Sequence, residues 1–294
     1  MKLHGIFVPI TTPFNYDGEI YAAKVEHNVA KWNKTGLAGY VVCGAAGEGV
    51  LLSAEEQRRM FELAAKCAAP DKLLLCGTGA ESVRETVRLV HQATELGYKA
   101  ALVGAPHCYR NVPDNAGRQA LFFGAVADQA RIPLIVDNRP WETGVDIQAG
   151  TAVRLSAHPN IIGFVEGSGD IGKIARMIRQ ARPEFQVLTG SARTLAEALA
   201  AGAVGAVPDY ANAAPYTVIA IWEAHRMREF DAGADWQQRI APAAALVEER
   251  YGIPGLKYAL DLNGYYGGPV RLPLTSVGPQ AKKEIEAAFR DLKG

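Results

Sequence analysis

Asp137 ends the stretch IPLIVD (132–137), and its type and setting suit it to move a proton. A carboxylate set among apolar neighbours is poorly hydrated, and burial raises its pKa toward the range useful for general acid–base catalysis. Arg139, two residues on, offers the alternative of a plain ion pair, and the residues alone leave both open. Glu142 and His107 supply a second carboxylate and an imidazole. With Asp137 they are donors that divalent metals accept. No HxH or HExxH spacing accompanies them, so no metal is expected. His107 and Cys108 resemble a base and a nucleophile, but adjacent side chains seldom face one another and no third orienting group is evident, so Cys108 reads as loop. Glu48 and Asp209 complete the polar set, and Arg193 is the candidate for gripping an anion in two places. The stretch CGAAGEG (43–49) is a glycine-rich turn able to present backbone N–H groups to an anion. It lacks GK[ST], which excludes a nucleotide P-loop, and no cofactor is expected.

These residues share a setting, since each lies at or just beyond the end of a short apolar run. The runs are GIFVPI (5–10), AGYVVC (38–43), KLLLCG (72–77), AALVGA (100–105), IPLIVD (132–137), IIGFVE (161–166), FQVLTG (185–190) and AVGAVP (203–208). Apolar residues fill consecutive positions, as in strands covered on both faces. Helical periodicity separates them. Ser53 with Glu56 reads as a capping box, and Val83, Val87, Val90 and Ala93 fall on one face of a helix that Gly97 can end. Eight such βα units at this length predict a closed (β/α)8 barrel; an open doubly wound sheet normally has fewer strands. Three further helical segments follow, WQQRIAPAAALVEER, IPGLKYALDLNG and GPQAKKEIEAAFRDLKG. The expected organisation is one domain over 1–294, with a barrel over 1–230 and a C-terminal helical extension over 231–294. In a barrel, function gathers where strands end, which is where the polar set lies.

Composition narrows the partners. The 31 basic and 31 acidic residues cancel, which argues against nucleic acid and acidic membrane surfaces. No run approaches the roughly 20 apolar residues of a membrane helix. Pro9 interrupts an N-terminal run too short for a signal peptide. Cys43, Cys67, Cys76 and Cys108 show no metal or CxxC spacing. A reduced, cytoplasmic protein is expected.

FVPITTPF with DGEI after it, GAAGE, GTGA, DNRPWETG, IIGFVEGSGD and GGPVRLPL occur in the order of one family. Along essentially its whole length the chain resembles the dihydrodipicolinate synthase / N-acetylneuraminate lyase family of class I aldolases. The resemblance implies a (β/α)8 barrel with C-terminal helices, a homodimer or homotetramer, and a small carboxylate or sugar acid as ligand. It also implies an imine-forming lysine at the end of strand six, where Val165 stands. A hydrocarbon cannot attack a ketone. Ala45 and Ala46 match paired threonines that hold the substrate carboxylate, Asp137 matches a tyrosine acid–base group, and Glu142 matches a carboxylate-binding arginine. His107 and Cys108 match an aromatic pair, with Tyr109 able to stand in for one of them. Gly190 and Val207 match positions where backbone approaches the ligand, and Glu166 matches an acidic residue that alternation turns toward the helices.

Other lysines are poorly placed to replace the missing amine. Lys72 and Lys99 precede strands, Lys173 lies in the helix after strand six, and Lys257 lies in the C-terminal region. Three functions follow: a lyase-type enzyme centred on Asp137 with Glu142 and His107, a non-catalytic small-molecule-binding homologue, or a pyruvate-dependent aldolase with a relocated lysine.

Overall fold

Eight short strands close into a ring in the computed structural model, which describes residues 1–109 and 115–292. They are β1 (Gly5–Pro9), β2 (Gly39–Val42), β3 (Leu73–Gly77), β4 (Ala100–Gly104), β5 (Leu134–Asn138), β6 (Ile161–Glu166), β7 (Gln186–Thr189) and β8 (Gly205–Ala206). All pairings are parallel, and β1 joins both β2 and β8, which excludes the open doubly wound sheet. Each strand falls within or overlaps its expected run. The greatest trimming is at β8, yet Val204 N donates to Val187 O and Val207 N to Thr189 O, so the pairing continues on either side of it. Glycine is required where the ring closes: a Cβ on Gly205 would lie 2.2 Å from the Gly5 carbonyl oxygen.

Alternation along the strands divides the apolar residues between two cores. Phe7, Val41, Leu75, Ile135, Val165 and Leu188 pack together inside the barrel. Ile6, Val8, Val42, Cys76, Val136 and Phe164 face the surrounding helices. Both faces are dry, which is why the runs are continuously apolar. Each fully buried side chain of this size contributes about 1.5–3 kcal/mol relative to exposure.

The helix Ala54–Cys67 opens on the expected capping box: Glu56 N donates to Ser53 Oγ at 3.3 Å and Ser53 N to Glu56 Oε2 at 2.8 Å. Beyond the barrel, the helix Phe230–Ala245 runs directly into a π-helical turn at Leu246–Arg250. Helices Gly252–Leu262 and Pro279–Ala288 follow. Lys257 anchors this extension to the ends of β1 and β2. Its Nζ lies 2.5 Å from Glu48 Oε1 and donates to the Thr12 and Pro269 carbonyls at 2.8 Å each. Burial lowers the Lys257 pKa, and Glu48 opposes that. Among the described residues, no helix is long and apolar enough to cross a membrane.

Candidate active site

Strand register brings the ends of β5 to β8 together. Asp137 is level with Gly104 and Val165, and Val165 with Leu188. Asp137 follows Ile135 by two residues, as Gly190 follows Leu188 and Asp209 follows Val207, so each continues an inward-facing row. Glu166 takes the opposite face. It is fully buried, accepts from Ser168 N at 2.7 Å and Asn138 Nδ2 at 3.1 Å, and pairs with Lys173 Nζ at 2.7 Å.

The centre of the mouth is Arg139, whose role the sequence reading limited to a possible partner for Asp137. Its Nε lies 3.2 Å from Asp137 Oδ1, its Nη1 donates to Asp209 Oδ1 at 2.8 Å, and its Nη2 to Val207 O at 3.1 Å. All three nitrogens are engaged, and the guanidinium spans the mouth from β5 to β8. Burial works against its charge, but Asp137, Asp209 and Glu142 outweigh burial and hold it above the ordinary arginine range. Of the two alternatives for Asp137, the contact present is the ion pair with the local arginine.

Three other carboxyls feel the excess negative charge. Burial first, then Asp209 and Asp137, push Glu142 up to about 7, with Arg139 opposing. The residue stands at the rim of the mouth, partly in water. Burial also raises Asp209, against the pull of Arg139. Glu248 rises to about 8 through burial and Asp209, although its oxygens accept from Ala192 N at 2.9 Å and Tyr210 N at 3.1 Å.

Arg139, Trp141, Glu142, Ser191, Asp209 and Glu248 line a recess here, with Gly167, Gly190 and Glu249. It contains ≈ 320 Å³ of atom-free space, part of it open solvent, but only ≈ 20 Å³ admits the centre of a water molecule. One water needs about 10–15 Å³ by that measure.

Other expected site residues lie elsewhere. His107 is exposed, with Nδ1 3.1 Å from Glu81 Oε1, and the N–H groups of His107 and Cys108 both donate to Glu81. That side chain turns to the strand-three loop rather than joining Asp137. Arg193 is also exposed and pairs with Glu249 at 2.7 Å, so its charge is already answered away from Arg139. Ala46 is buried, but the N–H groups of Gly47, Glu48 and Gly49 all donate to carbonyls of the same turn, which removes them as anion donors. Gly190 lines the recess as expected, yet its own chain supplies the crowding: a Cβ there would lie 2.9 Å from Gly167 Cα and 3.3 Å from Val165 Cγ1. Val207 offers its carbonyl, and Arg139 takes it. Among the described residues, no group of three or more His, Cys, Asp or Glu side chains is placed to hold a metal.

The model of the dihydrodipicolinate synthetase family matches residues 2–292. The chain belongs to that family. It is 34% identical over 292 residues to the 4-hydroxy-tetrahydrodipicolinate synthase of Methanothrix thermoacetophila, covering 98% of this chain and 95% of that one. It is 32% identical over 295 residues to a probable mitochondrial 4-hydroxy-2-oxoglutarate aldolase of Emericella nidulans, covering 98% and 94%. Among solved structures, dihydrodipicolinate synthase from Bacillus anthracis superposes with a TM-score of 0.93 at 25% identity over the full length of both chains. The Acinetobacter baumannii enzyme, complexed with pyruvate, gives 0.92 at 29% over 99% of both.

In this family member the sequence reading missed Trp141 and Ser191 at the recess and, above all, Glu248. Strand-end logic looks only at the barrel, whereas Glu248 arrives from the extension on a π-helical turn, a distortion frequent at functional sites. The signal available was an acidic pair, Glu248 and Glu249, interrupting the apolar run AAALV.

Proposed function

We propose that this family member is a lyase-type enzyme that acts on a small oxo acid or sugar acid through carboxyl acid–base chemistry, without a lysine imine. The observation that carries this is Glu142. It lines the recess beside Arg139, and burial with the Asp209 and Asp137 charges raises its carboxyl above the ordinary glutamate range, which suits it to pass a proton to a substrate. Asp137 and Asp209 hold the guanidinium in place across the mouth, beside Glu142. Ala45, Ala46, Val165, Gly190 and Val207 form the proposed wall, while His107 leaves the catalytic set and Arg193 the binding set. The names of the relatives, a synthase and an aldolase of oxo acids, support the substrate class.

The family resemblance places the imine lysine where fully buried Val165 stands. The two buried lysines among the described residues are Lys173, held by Glu166 and Asp146, and Lys257, held by Glu48. Lys72 donates to the Thr35 and Leu37 carbonyls ahead of β2. These attachments disfavour a relocated nucleophile. Residues 1–230 and the extension 231–294 are read as one domain because Glu248 of the extension reaches the recess. A cytoplasmic homodimer or homotetramer completes the proposal.

The narrowness of the recess favours a second reading, a binding protein that no longer turns its ligand over. A library of small oxo acids and sugar acids separates the two. Turnover of a hit, lost in Glu142→Gln while binding persists, supports the enzyme; a hit that binds and is never consumed overturns it.

A further inference from the structure

The inward row of β1 ends on Thr11. Phe7 belongs to the inside-barrel cluster with Val165 and Val207, and alternation carries the same face to Thr11. The backbone stays tied to its neighbours past the strand's end: Ile10 N donates to Val41 O at 2.9 Å and Thr11 N to Asn212 Oδ1 at 3.0 Å. Asn212 Nδ2 donates in turn to Pro9 O and Asp209 O, which fixes Thr11 beside the end of β8. Thr11 is 1% exposed, and its Oγ1 has no hydrogen-bond partner. The next residue shows the contrast, since Thr12 Oγ1 donates to Gly47 O at 2.6 Å. A buried hydroxyl left unpaired is destabilising, and such groups in folded proteins nearly always find a partner.

We propose that Thr11 is a specificity-determining residue of the mouth, and that the deep end of the ligand presents to it a neutral oxygen, carbonyl or hydroxyl. This rests on the reading of the mouth as the site for a small polar substrate. The surroundings decide the class. The inner wall beneath the mouth is Phe7, Val165, Leu188 and Val207, which offers no charge. The Arg139 guanidinium is already engaged by Asp137, Asp209 and the Val207 carbonyl. An ionised carboxylate buried here would lack compensation, whereas a carbonyl or hydroxyl oxygen needs one hydrogen bond. Gly104, on the inward face of β4, adds no side chain to this wall. An oxo acid or sugar acid would thus enter with its keto or hydroxyl end inward and its carboxylate outward.

Two probes test this by ligand-observed NMR on the full chain. Hydroxyacetone carries a ketone and a hydroxyl without a carboxylate, and propionate carries the carboxylate alone. Hydroxyacetone is expected to bind the wild-type protein more tightly than propionate. Thr11→Val should weaken it roughly 3- to 10-fold and Thr11→Ser should restore it. Without ligand, Thr11→Val should melt at the wild-type temperature or above, because the lost hydroxyl had no partner. Tighter propionate binding, hydroxyacetone binding that is undetectable or unchanged in Thr11→Val, or a lowered melting temperature for ligand-free Thr11→Val each overturns the proposal. The last is what a hydroxyl satisfied by a structural water would give. None of these outcomes bears on loss of turnover in Glu142→Gln, which judges the acid–base reading separately.

Discussion

Arg139 Nη1 lies 2.8 Å from Asp209 Oδ1, a contact that ties the end of β5 to the end of β8 across the barrel mouth. Both side chains are nearly buried, at 8% and 9% exposure, so water screens the pair little. The ring of hydrogen bonds already joins β5 to β8 through β6 and β7. The guanidinium adds a short link across the top, at the height where a ligand must pass.

Arg139→Leu is therefore expected to destabilise the protein by about 3–5 kcal/mol at pH 7, because Asp137 and Asp209 would be left buried without their counter-charge. Urea denaturation measures it. The loss should shrink as the pH is lowered, because the Asp209 carboxyl, already raised by burial, can take up a proton instead. A loss below about 1 kcal/mol would mean that the carboxylates are solvated and the mouth is open.

The barrel was legible because its signal is redundant: each of eight runs is apolar on both faces, and a boundary wrong by one or two residues leaves the alternation intact. The mouth was legible only where strand parity fixes direction. Asp137 and Gly190 could be aimed inward from the position of Ile135 and Leu188. His107 and Arg193 stand in turns, where parity fails, and their nearest carboxylates, Glu81 and Glu249, are set by tertiary contacts. Arg139 was underrated because its second partner, Asp209, is 70 residues away. Glu248 was invisible because it enters from a helix outside the barrel.

Sodium borohydride with pyruvate should leave no adduct in the intact mass of the protein. Imine capture needs an unprotonated amine at the bound ketone. Lys173 and Lys257 are each tied to a carboxylate, at 2.7 Å from Glu166 and 2.5 Å from Glu48, and neither lines the recess. A stable mass increase mapped to any lysine would return the protein to imine chemistry.

Arg193→Ala should change little. Its ion pair with Glu249 is exposed, 43% and 33% for the two side chains, and such pairs contribute about 0–1 kcal/mol. Ligand affinity should stay within twofold of wild type. A tenfold loss of affinity for an anionic hit would restore Arg193 to the binding set.

The raised carboxyls give the stability a definite pH slope. Glu142 and Glu248 rise to about 7 and about 8 from an ordinary value of 4.5. Between those limits the native state holds protons that the unfolded chain has released, so stability falls as pH rises. Their contribution is complete below about pH 4.5 and gone by about pH 8. Urea midpoints at pH 5, 6.5 and 8 should therefore decline for the wild type. Glu248→Gln should flatten that decline. The variant also loses one of two acceptors for Ala192 N and Tyr210 N, so it should be less stable at every pH; the slope, not the level, carries the result. An unchanged slope would show that the two backbone donors keep Glu248 ionised, and would leave Glu142 as the only carboxyl of the pair poised near neutrality.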